Sequence, residues 1–161
     1  MDHWFASDEI SKGLYGETAC LTIRDRYTKY LDGIGVFDKS TQHVVDFLTN
    51  LRRPTESYDY FWTDGARELT LACKQLKAAH DSTQPGNKRQ NAVAERSNAI
   101  LQDGARTLLM TAGLPPPYWV YAIRYFALCH NTQKRGEDET PWKARFGEEF
   151  DSPLILFGSA V

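Results

Sequence analysis

Tyr58-Asp59-Tyr60-Phe61-Trp62-Thr63-Asp64-Gly65 is the stretch on which the chain's architecture turns. Its first six residues are β-prone and include four aromatics, enough for a buried strand, and Asp64-Gly65 ends it ahead of a helical stretch from about Ala66 to Ala78. Upstream, Ala19 to Arg24 alternates apolar and mixed side chains and predicts a strand. The polar pair Asp25-Arg26 predicts a turn, which Asp25 stabilises, and a second strand runs from about Thr28 to Val36, so the two strands form a hairpin. Ser40 is placed to cap a helix whose Val44, Phe47, Leu48 and Leu51 recur at i, i+3, i+4 and i+7, ending before Pro54. Strand, strand, helix, strand, helix is the order of an α/β domain.

Downstream, the polar stretch Asp81 to Gln90 contains Pro85-Gly86 and predicts a loop. A long helix follows from about Asn91 to Thr111, with Val93, Ile100, Leu101, Ala105 and Leu108 on one face. Asn91, Glu95, Asn98, Gln102 and Arg106 share a polar stripe on the same helix. Gly113 and Pro115-Pro116-Pro117 stop it, and a second helix runs from Tyr118 to His130, its Trp119, Tyr121, Tyr125 and Phe126 expected in the core. A short element around Pro141 to Phe146 precedes an irregular tail.

Composition narrows the classes open to such a domain. A chain of 161 residues, 42% hydrophobic and 12% aromatic, has material for one packed core, which excludes disorder over most of its length. Nineteen basic and 21 acidic residues leave a net charge of −2, so any contact with nucleic acid must be local. The longest apolar run, Tyr118 to Ile123, is stopped by Arg124 and is too short to span a bilayer, so no membrane partner is expected. Asp2, Asp8, Glu9 and Lys12 occupy the first dozen residues without an apolar block, which excludes a secretory signal there and places the chain inside the cell. Cys20, Cys73 and Cys129 are odd in number and widely spaced, which excludes a disulfide framework or zinc ribbon and fits a reducing compartment. His3, His43, His80 and His130 are scattered and are expected in ordinary packing or surface roles.

Chemistry gathers around three carboxylates. Asp64 lies at the C-terminal end of its strand, where ligands collect in open α/β sheets. Glu95 lies in the first turns of the long helix, where the helix dipole favours an ionised carboxylate. Asp2 precedes the hairpin, and three converging Asp/Glu oxygens suit a hard cation such as Mg²⁺ or Mn²⁺. Lys88 and Arg89 sit between Asp64 and Glu95, placed to meet phosphates.

Asn91-Ala92-Val93-Ala94-Glu95-Arg96-Ser97-Asn98 resembles the N-G-V-A-E-R-x-N block of copia-type retrotransposon integrases. Phe61-Trp62-Thr63-Asp64-Gly65-Ala66-Arg67-Glu68-Leu69 is similar to that family's strand ending in D-N-G-x-E-F. Ala105-Arg106-Thr107-Leu108-Leu109, Leu114-Pro115 with Trp119 and Ala122, Asn131, Thr140-Pro141-Trp142 and Phe157-Gly158 recur in the family's order. The resemblance covers nearly the whole chain. It implies an α/β, RNase H-like mixed sheet flanked by helices, with residues 1–135 as the integrase catalytic core and 136–161 as its irregular C-terminal extension.

It further implies metal-dependent 3′-end processing and strand transfer of DNA at a D, D, E site holding two Mg²⁺ or Mn²⁺ ions. Asp64 matches the second metal-binding carboxylate, Glu95 the third, and Asp2 the first, with Asp8 as the alternative. Asn98, one turn beyond Glu95, faces the metal site or the DNA, and Lys88, Arg89 and Arg96 meet DNA phosphates. The implied partners are double-stranded DNA, as element ends and target, and further copies of the chain. The implied place of action is the nucleus, with a cytoplasmic particle before integration. Gly65-Ala66 stands where the family has Asn-Gly, Ala92 replaces a Gly, and the interval from Asp64 to Glu95 is a few residues shorter. Only Met1 precedes Asp2, so a truncated first strand and a poorly held Asp2 are expected. A related RNase H-like nuclease and a degenerate, non-catalytic DNA-binding fragment are the two competing readings.

Overall fold

A computed structural model describes residues 1–5, 11–54, 56–83, 88–134, 136 and 138–159, with the backbone alone for Phe5 and residues 88–91. The hairpin forms as its alternation dictates. β2 (Ala19–Arg24) pairs antiparallel with β3 (Leu31–Val36) along its whole length, and Asp25 closes the turn by accepting from Tyr27 N and Thr28 Oγ1, both at 2.8 Å. β1 (Asp2–Phe5) pairs antiparallel with the other edge of β2, Asp2 opposite Thr22. β4 (Tyr60–Thr63) pairs in parallel with β5 (Ala79–Ser82), and Met1 N donates to Trp62 O at 2.9 Å, which sets the start of β1 beside β4.

Helices cover both faces of these strands. α1 (Thr41–Leu51), capped by Ser40 Oγ on His43 N, and α2 (Arg67–Gln75) pack on one face. There Val44, Phe47, Leu48, Leu69 and Ala72 meet Ala19, Leu21, Val36 and Phe61. α3 (Lys88–Ala112) and α4 (Trp119–Thr132) pack on the other, where Leu101, Ala105, Leu109, Val120 and Ile123 meet Cys20 and Leu31. The two helices touch closely because residue 104 is glycine: a Cβ there would lie 2.3 Å from the Phe126 ring. Asn131, fully buried on α4, accepts from Leu31 N and donates to Leu31 O, pinning α4 to β3. α5 (Pro141–Phe146) is capped by Thr140 and reaches back through Arg145, which donates to Leu51 O at 3.0 Å.

The mixed α/β architecture agrees with the sequence reading and is consistent with an RNase H-like sheet. Four local expectations are corrected. Residues 79–82, of which Asp81 and Ser82 were expected in the loop and Ala79 and His80 in no element, form β5, because the free edge of β4 offers main-chain pairing to a segment whose side chains carry little β signal. Lys88 and Arg89 are helical rather than in a loop, and the intervening residues 84–87 lie outside the described ones. Val93 is exposed, because α3 turns Ala94, Ser97, Asn98 and Leu101 inward instead. Tyr121 is also exposed, its hydroxyl donating to that of Tyr15 at 3.0 Å, whereas Trp119 is buried as expected. Among the described residues no helix is long and apolar enough to cross a membrane.

Candidate functional site

The site forms where β1 and β4 meet. Asp64 follows the last residue of β4, and its backbone is turned by Gly65, whose φ of 85° is open to glycine at little steric cost. The turn is held from within: Asp64 Oδ1 accepts from Ala66 N at 3.0 Å, and Thr63 Oγ1 accepts from Gly65 N at 3.1 Å. Thr63 Oγ1 also lies 2.9 Å from His80 Nε2, so β5 braces the turn that carries Asp64. Asp64 itself is exposed.

Asp2 is the opposite case. It is buried, and both its oxygens are engaged: Oδ1 accepts from His3 N at 2.8 Å and Oδ2 from Asn98 Nδ2 at 3.0 Å. The expectation of a poorly held Asp2 is therefore corrected, because pairing with Thr22, the Met1–Trp62 bond and the Asn98 amide fix it from three sides. Burial pushes the Asp2 carboxyl above the ordinary 3.8, and the negative charge of Asp64 pushes in the same direction, while the donors His3 N and Asn98 oppose them.

Asn98 is buried beside this pair, and its Oδ1 has no hydrogen-bond partner among the described residues. Glu95 lies on α3 one turn before Asn98 with its side chain exposed, and Arg96 is exposed next to it. The structure thus brings Asp2, Asp64 and Asn98 together and sets Glu95 on the adjoining helical turn. Among the described residues no group of three His, Cys, Asp or Glu side chains is gathered closely enough to hold a metal ion. Two carboxylates and an unpartnered amide oxygen are hard donors of the kind that Mg²⁺ and Mn²⁺ take. Asp8 and the side chains of Lys88 and Arg89 lie outside the described residues.

His80 is the supporting residue that the sequence conceals. Its role depends on β5, which side-chain pattern does not announce. Thr22, opposite Asp2 and 2% exposed, is the second, and it becomes legible only once the register of β1 on β2 is known.

No family model matches the chain. Over 59 residues, 37% of its length, the chain is 34% identical to the retrovirus-related Pol polyprotein from transposon TNT 1-94 of Nicotiana tabacum. The stretch spans 4% of that polyprotein. This partial similarity supports a retroelement origin for the chain.

Proposed function

We propose that this chain is the catalytic core of a copia-type retrotransposon integrase, which trims the 3′ ends of element DNA and joins them to target DNA. The observation that carries the reading is the meeting of Asp2 and Asp64 from neighbouring strands, with Asp2 bonded to Asn98 one helical turn from Glu95. Asp2, Asp64 and Glu95 are the residues that would hold two Mg²⁺ or Mn²⁺ ions, which when bound polarise the scissile phosphate and ease deprotonation of the attacking hydroxyl.

The protein's own groups then have distinct tasks. Asn98 and the His3 amide fix the rotamer of Asp2 and leave each of its oxygens a further lone pair. The raised proton affinity of Asp2 is the mark of a carboxylate that gains from a nearby positive charge. Asp64 stays in solvent at the strand end, braced by Thr63 and His80, where a DNA backbone has access. Lys88, Arg89 and Arg96 at the start of α3 would meet phosphates, with the helix N-terminus adding favourable potential. The attacking group is water in end trimming and a DNA 3′-hydroxyl in strand transfer, so no protein nucleophile is needed. Double-stranded DNA, further copies of the chain and a nuclear site of action belong to this reading.

The test is Mn²⁺-dependent nicking and strand transfer on a labelled DNA duplex by the wild-type chain, Asp64→Asn and Glu95→Gln. Activity lost in both variants, with their folded circular dichroism retained, supports the reading. DNA binding without metal-dependent cleavage in the wild type points to a non-catalytic DNA-binding domain. Cleavage that persists in both variants refutes the assignment of the site.

A further inference from the structure

β1 carries a second polar pair on the face opposite the site. Successive residues of a strand point to opposite sides of the sheet, so Asp2 turns to α3, where Asn98 holds it, and His3 turns to α2. There His3 Nδ1 lies 3.7 Å from Glu68 Oε1, with side chains 3% and 15% exposed. That separation is too long for a hydrogen bond. Both atoms are buried, and neither has a hydrogen-bond partner among the described residues. Two buried polar atoms that face each other unbonded cost the fold stability, and such a pair calls for a reason.

The pair spans the two elements that carry the carboxylates of the site. His3 follows Asp2 on β1, and its main-chain N–H donates to Asp2 Oδ1 at 2.8 Å. Glu68 lies in the first turn of α2, the helix that starts from the Asp64-Gly65 turn, where Asp64 Oδ1 accepts from Ala66 N. A movement of β1 against the start of α2 therefore changes the distance from Asp2 to Asp64 and the distance from His3 to Glu68 together. Left to themselves the two carboxylates repel: after burial, the charge of Asp64 is the strongest influence raising the Asp2 carboxyl. A divalent cation between them removes that repulsion. Burial, opposed by the charge of Glu68, lowers the proton affinity of His3, and a neutral imidazole with its proton on Nδ1 donates to Glu68 with no change of charge.

We propose that His3 and Glu68 are positioning residues that fix the spacing of Asp2 and Asp64: as a divalent cation draws the carboxylates together, the pair closes into a hydrogen bond from His3 Nδ1 to Glu68 Oε1. Closure shortens the gap from 3.7 Å to about 2.9 Å. The benefit of satisfying two buried atoms is then gained only with the cation bound, so it adds to cation affinity although neither residue touches the ion. The proposal rests on the reading of Asp2 and Asp64 as cation ligands.

The experiment measures Mn²⁺ binding to the 161-residue chain, from the paramagnetic signal of free Mn²⁺, in the wild type, His3→Leu, Glu68→Leu, the double variant and Glu68→Gln. Each leucine variant is expected to bind Mn²⁺ about tenfold or more weakly. The double variant is expected to bind no more weakly than the singles, because one contact is lost in all three. Glu68→Gln, whose amide oxygen still accepts, is expected to recover part of the loss. Melting in chelator is expected to be no lower in the leucine variants, since an unbonded pair has no bond to lose. In spectra of isotope-labelled histidine, with His3 assigned by its disappearance in His3→Leu, Mg²⁺ is expected to slow exchange of a His3 Nδ1 proton about tenfold or more. Mn²⁺ bound equally by the wild type and both leucine variants overturns the positioning role and leaves the cation site standing. Mn²⁺ bound by none of the proteins overturns both.

Discussion

Replacing Asn98 with alanine isolates the contact between the helix face and the buried carboxylate. Asn98 Nδ2 donates to Asp2 Oδ2 at 3.0 Å, and both residues are 9% exposed. A hydrogen bond to a charged group contributes about 1.5–3 kcal/mol, and truncation leaves a buried oxygen without its donor. Asp2 Oδ1 keeps the bond from His3 N, and Asn98 Oδ1 has no partner to lose, so the cost is that of one bond. Asn98→Ala is therefore expected to lose about 2 kcal/mol. For a domain of this size that is a drop of about 4–8 °C in melting temperature. Urea unfolding at pH 7 in chelator, read by tryptophan fluorescence and circular dichroism together, measures it. Asp2→Asn and the double variant complete a cycle whose coupling is expected at about 1 kcal/mol or more, since the two side chains touch. Because the Asn98 donor holds the Asp2 carboxyl down, its loss is also expected to move that carboxyl's titration further upward. Asn98→Ala within about 0.5 kcal/mol of wild type, or a double variant equal to the sum of the singles, refutes the coupling.

The remaining predictions follow from the same site and its supports. Asp2 is raised by burial and by Asp64, so the folded chain binds more protons than the unfolded one, and this group's contribution falls as pH rises from 3.8 through its folded value. The stability of Asp2→Asn relative to wild type in chelator should accordingly improve between about pH 3 and pH 7, and a difference independent of pH contradicts this. Mg²⁺ or Mn²⁺ should raise the melting temperature of the wild type and do so less in Asp64→Asn and Glu95→Gln; equal increments in all three count against cation binding there. Replacing Lys88 and Arg89 with alanine should weaken DNA binding and flatten its salt dependence by about one to two units of slope. Gly104→Ala drives a Cβ into the Phe126 ring and should cost about 1–3 kcal/mol in urea unfolding. Phe126→Leu in the same background should recover part of that loss.

What could be read from the residues was whatever depends on local pattern. Ser40 caps α1, Asp25 closes the hairpin turn and Pro141 opens α5, because caps, turns and periodicity act within a few residues of themselves. The Asp64-Gly65 turn at the end of β4 was legible for the same reason. β5 was not, since Ala79-His80-Asp81-Ser82 is a strand only because β4 offers it an edge. The bracing of Asp64 by His80 was hidden with it. The polar stripe of α3 contained Asn98 but did not show that Asn98 turns inward while Glu95 stays outside. That division depends on how α3 lies across β1 and β2. Tyr121 misled because aromatic content marks a core only on average, and its hydroxyl has a partner at the surface.

The pinning of α4 to β3 also bears on how copies of this chain can meet. β3 is the outer strand of its sheet, and an uncovered outer strand invites another chain to pair with it. Here the Asn131 amide occupies both main-chain groups of Leu31, and the Asp32 carboxylate folds back onto Gly33 N at 2.7 Å. Two successive outward-facing rungs are thus filled from within the chain, and a buried carboxylate guards the approach. A neighbouring strand would have to displace a side-chain amide and expel a charge before its first bond could form. This part of the β3 margin is self-sealed, so a strand added there from a second copy would first have to break bonds the chain already makes.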